Sequence, residues 1–306
     1  MCLGLCLSIV PGCDQLDAFR DPPGAVAPGP ELPVLEGPST DSQATAAYFT
    51  RVEEGHLTRG LLREDGGGPD TPFDARRLTE TFRTLAFARE FTDVGAALVR
   101  REGSSILHKW AAPVRVQTMF GPAVTIDQQA QDRATVASYA TRLGRITRHP
   151  VTPVEAGGNF TVLVLTEEER RVAAPLLRRL IPEIRQQEID VIQGLTRSTY
   201  CVVVASDPDN DGRLRRAVAI IRAELPDRLR LSCFHEEIAQ GLGLANDSPR
   251  ARPSIFNDDD EFGRLTAMDE KMLRMLYDPQ LTPGMTADAA MPIIRNLAEA
   301  LTAPSF

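Results

Sequence analysis

The sequence predicts an α+β domain with a mixed central sheet. Segments with helical periodicity and segments with strand-like alternation follow each other irregularly after about residue 74, which is typical of that fold class. Hydrophobic side chains make up 42% of the 306 residues, a fraction that supports a core of ordinary globular size. No run of apolar residues approaches the length needed to span a membrane.

Charge and histidine content argue against two classes of protein. The chain has 34 basic and 42 acidic side chains, a formal net charge of −8. Because a nucleic-acid binder needs a basic face to meet phosphates, we expect no nucleic-acid partner. Only four histidines are present, whereas a zinc enzyme usually uses two or three as ligands.

The first residues are typical of an export signal. Residues 3–10 are apolar, and residues 10–13 (VPGC) resemble the lipobox of bacterial lipoproteins, in which the cysteine is acylated. We therefore expect a signal-like segment at 1–12, lipidation at Cys13 and a protein of the periplasm or cell envelope held at the membrane by its acyl chains. The alternative is an unstructured N-terminus with chance cysteines.

Composition then divides the rest of the chain. Residues 13–43 are rich in proline and glycine and predict a tether. Residues 44–70 predict a short helix and a linker, because the GGGP at 66–69 breaks the helix. A single α+β domain is expected over 71–306.

The elements of that domain follow from periodicity. Helices are predicted over 74–91, 128–143, 167–180 and 226–242, and strands over 104–119, 145–155, 159–166, 200–205 and 216–223. The β-branched run at 200–205 (YCVVVA) indicates a buried strand, and Trp110 indicates a core side chain. We expect Arg170 and the neighbouring arginines of its helix to be exposed.

Two unmodified cysteines remain after removal of a signal at 1–12 and acylation of Cys13. Cys201 and Cys233 each lie beside a predicted element, and cysteines in an oxidising compartment can pair. A disulfide between them and two separate buried thiols are the two interpretations.

The helix that ends near residue 242 has two different faces. Apolar side chains at helical spacing form the core face, namely Leu231, Phe234, Ile238 and Leu242. Glu236 and Gln240 lie together on the opposite side with Glu237 beside them, and His235 lies apart from this pair. Such a polar set is either a solvated helix face or the floor of a cleft.

This segment resembles the metzincin zinc peptidases, whose signature is H-E-x-x-H-x-x-G-x-x-H followed by a methionine turn. Glu236, Gln240 and Asn246 occupy the three ligand positions, Glu237 the general-base position and Gly243 the glycine. The resemblance implies a metzincin-like α+β fold with a long active-site-type helix and a C-terminal helical subdomain.

Two later segments extend the resemblance. Residues 254–257 (SIFN) resemble the methionine turn with Phe256 in place of methionine, and residues 265–277 resemble the closing helix of matrixin-like members. All three ligand histidines are absent, so we expect no zinc and no zinc-activated water. Oxygens of Glu, Gln and Asn suit Ca²⁺ or Mg²⁺ better than zinc.

The same motifs, with residues 233–247 (CFHEEIAQGLGLAND), resemble a proteobacterial domain family of unknown function whose members are often described as lipoproteins. The resemblance runs from about Gly60 to about Met285 and implies no known activity.

The leading hypothesis is therefore a non-catalytic, exported envelope protein that binds a peptide or protein partner in a former cleft. The residues expected to line that cleft are Glu236, Glu237, Gln240, Gly243, Asn246, Asp247 and Phe256. The rival hypothesis is a hydrolase that uses Glu237 with a non-histidine metal set.

A third hypothesis is a calcium-stabilised envelope module. Asp207, Asp209 and Asp211 have the spacing of the first half of a calcium loop, with Gly212 at the turn. The twelfth position of that loop is Val218 instead of a bidentate Glu, so an acidic surface turn is the other interpretation.

Overall fold

A computed structural model of the protein describes residues 37–87, 89–94, 97–101, 106–257 and 259–303. The helices are α1 (Thr40–Thr58), α2 (Ala75–Phe87), α3 (Ile126–Thr147), α4 (Glu167–Arg171), α5 (Ala174–Leu180), α6 (Gln186–Gly194), α7 (Asp227–Gln240), α8 (Ala267–Leu276) and α9 (Ala287–Thr302). The strands are β1 (Arg89–Val94), β2 (Ala97–Arg101), β3 (Lys109–Trp110), β4 (Val114–Phe120), β5 (Val151–Val154), β6 (Phe160–Leu165), β7 (Cys201–Ser206), β8 (Arg213–Leu214) and β9 (Arg216–Arg222).

The central feature is a five-stranded mixed sheet in the order β5-β4-β6-β9-β7. Strands β5, β4, β6 and β9 are parallel, and β7 runs antiparallel to β9 at one edge. Two short pairs, β1 with β2 and β3 with β8, lie outside this sheet. The predicted α+β class with a mixed central sheet is confirmed.

Helices cover both faces of the sheet because its central strands are apolar on both sides. All six residues of β6 are buried, as expected for a strand inside a parallel sheet. Phe160, Val162 and Val164 belong to the larger core cluster with side chains of α3 and α7. Leu163 and Leu165 point the other way, into a second cluster with α5 and α6.

Helix α1 belongs to the same core. Its N-cap is Ser39, whose side chain accepts a hydrogen bond from Ser42 N, so the helix begins within the segment predicted as a tether. Phe49 is fully buried in the larger cluster. We expected the domain to begin near Thr71, whereas the compact unit extends back through α1. The signal-like segment, Cys13 and the tether as far as residue 36 lie outside the described residues.

The predicted helix 167–180 is divided into α4 and α5, and Arg170 is buried, contrary to the expected exposure. The Arg170 guanidinium pairs with Glu167 at 2.7 Å and donates to the carbonyl oxygens of Ile192 and Leu195. The prediction of exposure assumed that a charged arginine lies at the surface. In the structure, the Glu167 carboxylate and the two carbonyl oxygens replace water around the buried charge.

The C-terminal helices pack beside the sheet, where α9 contacts α2 and α8 contacts α3. Buried Lys109 connects them to β3, since its Nζ donates to the carbonyl oxygens of Leu276, Asp278 and Leu281. Burial lowers the pKa of Lys109 to about 8. None of the described helices combines the length and the apolar character needed to cross a membrane.

Candidate functional site

Helix α7 packs against the edge strand β7 and its neighbour β9. Cys233 on α7 and Cys201 on β7 form a disulfide, with their Cα atoms 5.9 Å apart. The bond joins two elements whose facing surfaces line a groove, so it fixes their spacing.

The groove beside α7 has a cavity volume of about 890 Å³. It is lined by β7, by the C-terminal half of α7, by residues between 243 and 247 and by residues between 181 and 192. Its described lining contains one arginine, Arg185, one histidine, His108, and seven carboxylates. These carboxylates belong to Glu183, Glu188, Asp207, Glu236, Glu237, Asp247 and Asp260.

Three polar side chains of α7, those of Glu236, Glu237 and Gln240, line this groove. Glu237 is 4% exposed and Gln240 7% exposed, while Glu236 is half-buried. Gln240 Nε2 donates to Asp247 Oδ1 at 2.7 Å, which connects the helix to the loop that follows it.

Asn246 contributes a buried amide to the groove lining and is 3% exposed. Its Nδ2 donates to the Leu85 carbonyl at 2.8 Å. Its Oδ1 is also buried and receives no hydrogen bond from any described residue. A buried carbonyl oxygen without a donor is costly to the fold.

Three residues fix the end of α7. The last carbonyls of a helix lack partners within the helix, and here Trp110 Nε1 donates to Gly241 O and Tyr277 Oη to Leu242 O, both at 2.8 Å. Trp110 is buried, as predicted. Gly243 then has φ +125°, and a Cβ at this position would lie 2.3 Å from the His108 carbonyl oxygen. Only glycine fits this passage.

The loop at 254–257 is anchored by Asp269 of α8. This buried carboxylate accepts hydrogen bonds from Ser254 Oγ at 2.6 Å and from Ile255 N at 3.0 Å. Burial raises the pKa of Asp269 to about 6. Phe256 is fully buried in the larger core cluster, whereas its neighbours Ile255 and Asn257 line the groove.

His235 lies in the core on the other side of α7. Its ring stacks on Tyr139 at a centroid distance of 4.0 Å, and its Nδ1 accepts a hydrogen bond from Leu265 N. Burial, with nearby Arg142 and Arg264, lowers the pKa of His235 to about 3. The ring is therefore neutral and serves the packing of α7.

Strand β7 is an edge strand among the described elements, and it lines the groove. Ala217 N and Ala223 N donate to carbonyl oxygens in and beside β6. The backbone N–H and C=O groups of the odd-numbered residues of β9 therefore point to β6, and those of the even-numbered residues point to β7. In the antiparallel register, Val202 opposes Ile220 and Val204 opposes Val218. The N–H and C=O groups of the alternate residues therefore point outward. These residues are Cys201, Val203 and Ala205.

No described residue supplies a backbone hydrogen bond to this outer edge. The strand is also half-buried instead of buried, with residues 202–204 of intermediate exposure and Ala205 exposed. A run of β-branched residues indicates an apolar strand, but it does not indicate whether the strand lies inside the sheet or at its edge. The prediction of a buried strand therefore did not anticipate the partial exposure. The position at the edge could not be read from the sequence.

The segment that leads into β7 is held by Arg222 of β9. Its guanidinium donates to the carbonyl oxygens of Leu195, Thr196 and Thr199, and it pairs with the Glu167 carboxylate. Buried backbone carbonyls need hydrogen-bond partners, and an irregular segment has no helix or sheet to supply them. This arginine supplies those donors and so fixes the entrance to the edge strand.

The three aspartates of the predicted calcium loop do not converge on a common point. Asp207 accepts hydrogen bonds from the backbone N–H groups of Asp211 and Gly212, and Asp209 pairs with Arg215. Asp211 pairs with Arg213 at 2.7 Å. Arginines and backbone donors occupy these carboxylates, which matches the interpretation as an acidic surface turn.

Within the described ranges, one group of three acidic, cysteine or histidine side chains lies close enough to share a metal ion: Cys201, Glu236 and Glu237, with ligand atoms within 4.8 Å. The Cys201 sulfur is bonded to Cys233 and is no thiolate. The two remaining carboxylates are fewer than the three or four protein ligands that a zinc site uses.

Sequence reasoning missed the part of the groove contributed by residues 181–192. Helix α6 was not predicted, because Ile189 and Ile192 are the only fully buried positions in a short polar helix. Glu183 accepts a hydrogen bond from Ser206 Oγ of β7, a contact between segments far apart in the chain.

Comparison with the curated proteins and with the solved structures found no match to either. A family model described as a protein of unknown function, DUF2927, matches residues 75–296. That range covers most of the chain and contains all of α7 and of β7. A domain family of unknown function was expected from the sequence, and this match agrees with that expectation. The chain belongs to the DUF2927 family.

Proposed function

We propose that this protein binds an extended segment of a peptide or protein partner, without catalysis, by adding that segment as a strand to the outer edge of β7. The observation that carries the proposal is the outer edge of Cys201, Val203 and Ala205, which no described residue pairs, inside a groove of about 890 Å³. Main-chain hydrogen bonds to a free sheet edge are a general mode of peptide recognition.

The arrangement of the site supports descent from a metzincin-like cleft. An antiparallel edge strand lies beside the helix that carries Glu236, Glu237 and Gln240, and Gly243 follows at the turn. The three ligand positions hold Glu236, Gln240 and Asn246, an oxygen set that does not suit zinc. Glu237 then lacks a metal-bound water to deprotonate, so binding is the chemistry that remains.

We further propose that the protein is exported and anchored through Cys13 in the periplasm or cell envelope. The disulfide between Cys201 and Cys233 supports this, since such bonds persist in oxidising compartments. Metabolic labelling with a radioactive fatty acid should mark the wild-type protein and not Cys13→Ala. Equal labelling of the two would contradict the anchor.

The binding proposal is tested by blocking the edge. Val203 N–H points outward, so Val203→Pro removes a donor that β9 does not use, and proline is tolerated on edge strands. Ten-residue peptides selected from a random display library on the wild-type protein should bind Val203→Pro at least tenfold more weakly. Val203→Ala keeps the N–H and should stay within about threefold of wild type.

Thermal unfolding of both variants shows whether the fold is intact. Selection of no peptide, or of peptides that bind wild type and folded Val203→Pro equally, would overturn the proposal. The rival hydrolase is tested separately by elemental analysis after dialysis and by incubation with a peptide library. Stoichiometric zinc together with cleavage abolished by Glu237→Gln would establish hydrolysis instead.

A further inference from the structure

We infer that the groove selects an amphipathic extended segment, with apolar side chains at alternate positions on the face that meets Val202 and Val204. The inference rests on the proposed strand addition at β7 and names the class of segment that this edge accepts. It follows from the alternation of side chains along β7, from the two walls of the groove and from the geometry of strand pairing.

The side chains of β7 alternate between the two sides of the sheet. Cys201 and Val203 belong to the larger core cluster, on the side of α7. Val202 and Val204 pack against the second cluster, which contains side chains of α5 and α6. Both of these valines are half-buried and line the groove. The second apolar cluster therefore reaches the groove at the edge of the sheet.

The groove has walls of different character on these two sides. The apolar wall consists of hydrophobic side chains from β7 and from the segment around α6, namely Ile181, Ile184, Val191, Ile192, Val202 and Val204. The polar wall consists of side chains from the C-terminal half of α7 and the loop after it, namely Glu236, Glu237, Gln240, Asn246 and Asp247. Val191 is half-buried, like the two valines of β7. Covering these side chains with further apolar surface is favourable.

Polar side chains of the segment around α6 also reach the groove, but they are paired within the protein. Glu183 accepts a hydrogen bond from Ser206 Oγ, and Arg185 pairs with Glu188 at 2.9 Å. The hydrophobic side chains of the apolar wall have no such way to be satisfied, so contact with a partner is the favourable change at this wall.

An added strand would meet both walls at once. The N–H and C=O groups of Val203 point outward, so an antiparallel partner forms a hydrogen-bonded pair with Val203 and closer, non-hydrogen-bonded pairs with Val202 and Val204. Side chains directly opposite each other on paired strands lie on the same face of the sheet. The partner residues opposite Val202 and Val204 are two positions apart, and both direct their side chains to the apolar wall.

The partner residue between them, opposite Val203, directs its side chain to the polar wall. An apolar side chain there would remove polar groups from water without offering hydrogen bonds, which is unfavourable. A segment in which apolar and polar residues alternate therefore fits both walls while its backbone pairs with the outward N–H and C=O groups of β7.

The test varies only the order of residues in the ligand. The probes are fluorescein-labelled nine-residue peptides of valine and threonine, which have similar shapes and both favour strands. One alternates the two residues (VTVTVTVTV). The second has the same composition in pairs (VVTTVVTTV), so that no two valines are two positions apart. The third is all threonine. In fluorescence polarisation, wild type should bind the alternating peptide about tenfold or more tightly than either of the others.

Variants of the protein locate the effect. Val202→Thr with Val204→Thr keeps β-branched residues in the strand but makes the apolar wall polar, and it should reduce the preference for the alternating peptide to less than about threefold. The matched control is Val154→Thr, at a half-buried valine of β5 on the opposite edge of the sheet, which should keep the preference. Thermal unfolding shows whether each variant is folded.

The outcomes separate this inference from the function on which it rests. Equal binding of the three peptides to wild type would overturn the amphipathic preference and leave strand addition intact, whereas binding of none would overturn both. Equal binding of the two valine-containing peptides, tighter than that of the threonine peptide, would show a preference for apolar content without alternation and would overturn the inference. A preference that survives in the folded double variant would also overturn it.

Discussion

At the scale of single residues, the surroundings of a titratable side chain decide its role in the fold. His235 and Glu237 are close neighbours on α7, yet one packs against Tyr139 in the core and the other faces the groove. Burial makes the imidazole a packing group that accepts one backbone hydrogen bond. The Glu237 side chain is buried as well, but it lines the groove instead of the core.

The pKa of His235 predicts a pH dependence of stability. Its folded pKa of about 3 lies below its unfolded value of 6.5. The unfolded chain therefore binds a proton that the folded chain does not, and the free energy of unfolding falls as the pH falls below 6.5. Between pH 7.5 and pH 5 the wild type should lose about 2 kcal/mol relative to His235→Asn, which has no group titrating there.

Urea unfolding of the two proteins at pH 7.5, 6 and 5 measures this difference. Because all other titrating groups are common to both proteins, their contributions cancel to first order. A constant difference in unfolding free energy across the three pH values would show that the imidazole is accessible to protons in the folded state.

At the scale of elements, the passage from α7 to the following loop depends on one close approach. Gly243 lies against the His108 carbonyl just before β3, with the carbonyl ends of α7 held by Trp110 and Tyr277. The groove needs this turn, because it returns the chain toward Asn246 and Asp247. Its geometry couples the position of α7 to the short strand β3.

Gly243→Ala should lower the free energy of unfolding by about 2 kcal/mol or more, since the substitution combines a positive φ with a contact to backbone that cannot move cheaply. The control is Gly194→Ala at the end of α6, where no atom lies within 4 Å of the added Cβ. Chemical denaturation should show no loss of stability there. Similar losses in the two variants would contradict the strain at Gly243.

The sequence predicted the features that depend on residues close together in the chain. It did not predict the features that depend on contacts between segments far apart in the chain. The apolar face of α7, the strand at β6 and the core position of Trp110 follow from periodicity and side-chain type. The groove floor at Glu236, Glu237 and Gln240 was one of two interpretations, because a polar helix face looks the same in solvent and in a cleft. The edge position of β7 and the buried Arg170 depend on pairing with remote segments, which spacing does not encode.

At the scale of the whole molecule, one covalent bond connects the wall and floor of the groove. Cys201 and Cys233 are separated by 32 positions, and the segment between them contains β7, β8, β9 and the first half of α7. Closing a loop of that length removes freedom from the unfolded chain. The bond therefore stabilises the part of the fold that carries the proposed site.

Cys201→Ser with Cys233→Ser should reduce the free energy of unfolding by about 3–4 kcal/mol, from the entropy of a loop of that length. Urea unfolding with and without a phosphine reductant measures the loss. The reductant should destabilise wild type to the level of the variant and leave the variant unchanged. Insensitivity of the wild type to reductant would favour two separate buried thiols.

The position of the β7 edge inside the groove affects whether another folded sheet can pair with it. Exposed sheet edges invite pairing with other sheets and so promote aggregation. Here α7 and the segment around α6 flank the edge. These flanks stand in the way of another folded sheet, which is thicker than the single extended segment proposed as the partner. The groove that would admit such a segment therefore also opposes edge-to-edge self-association.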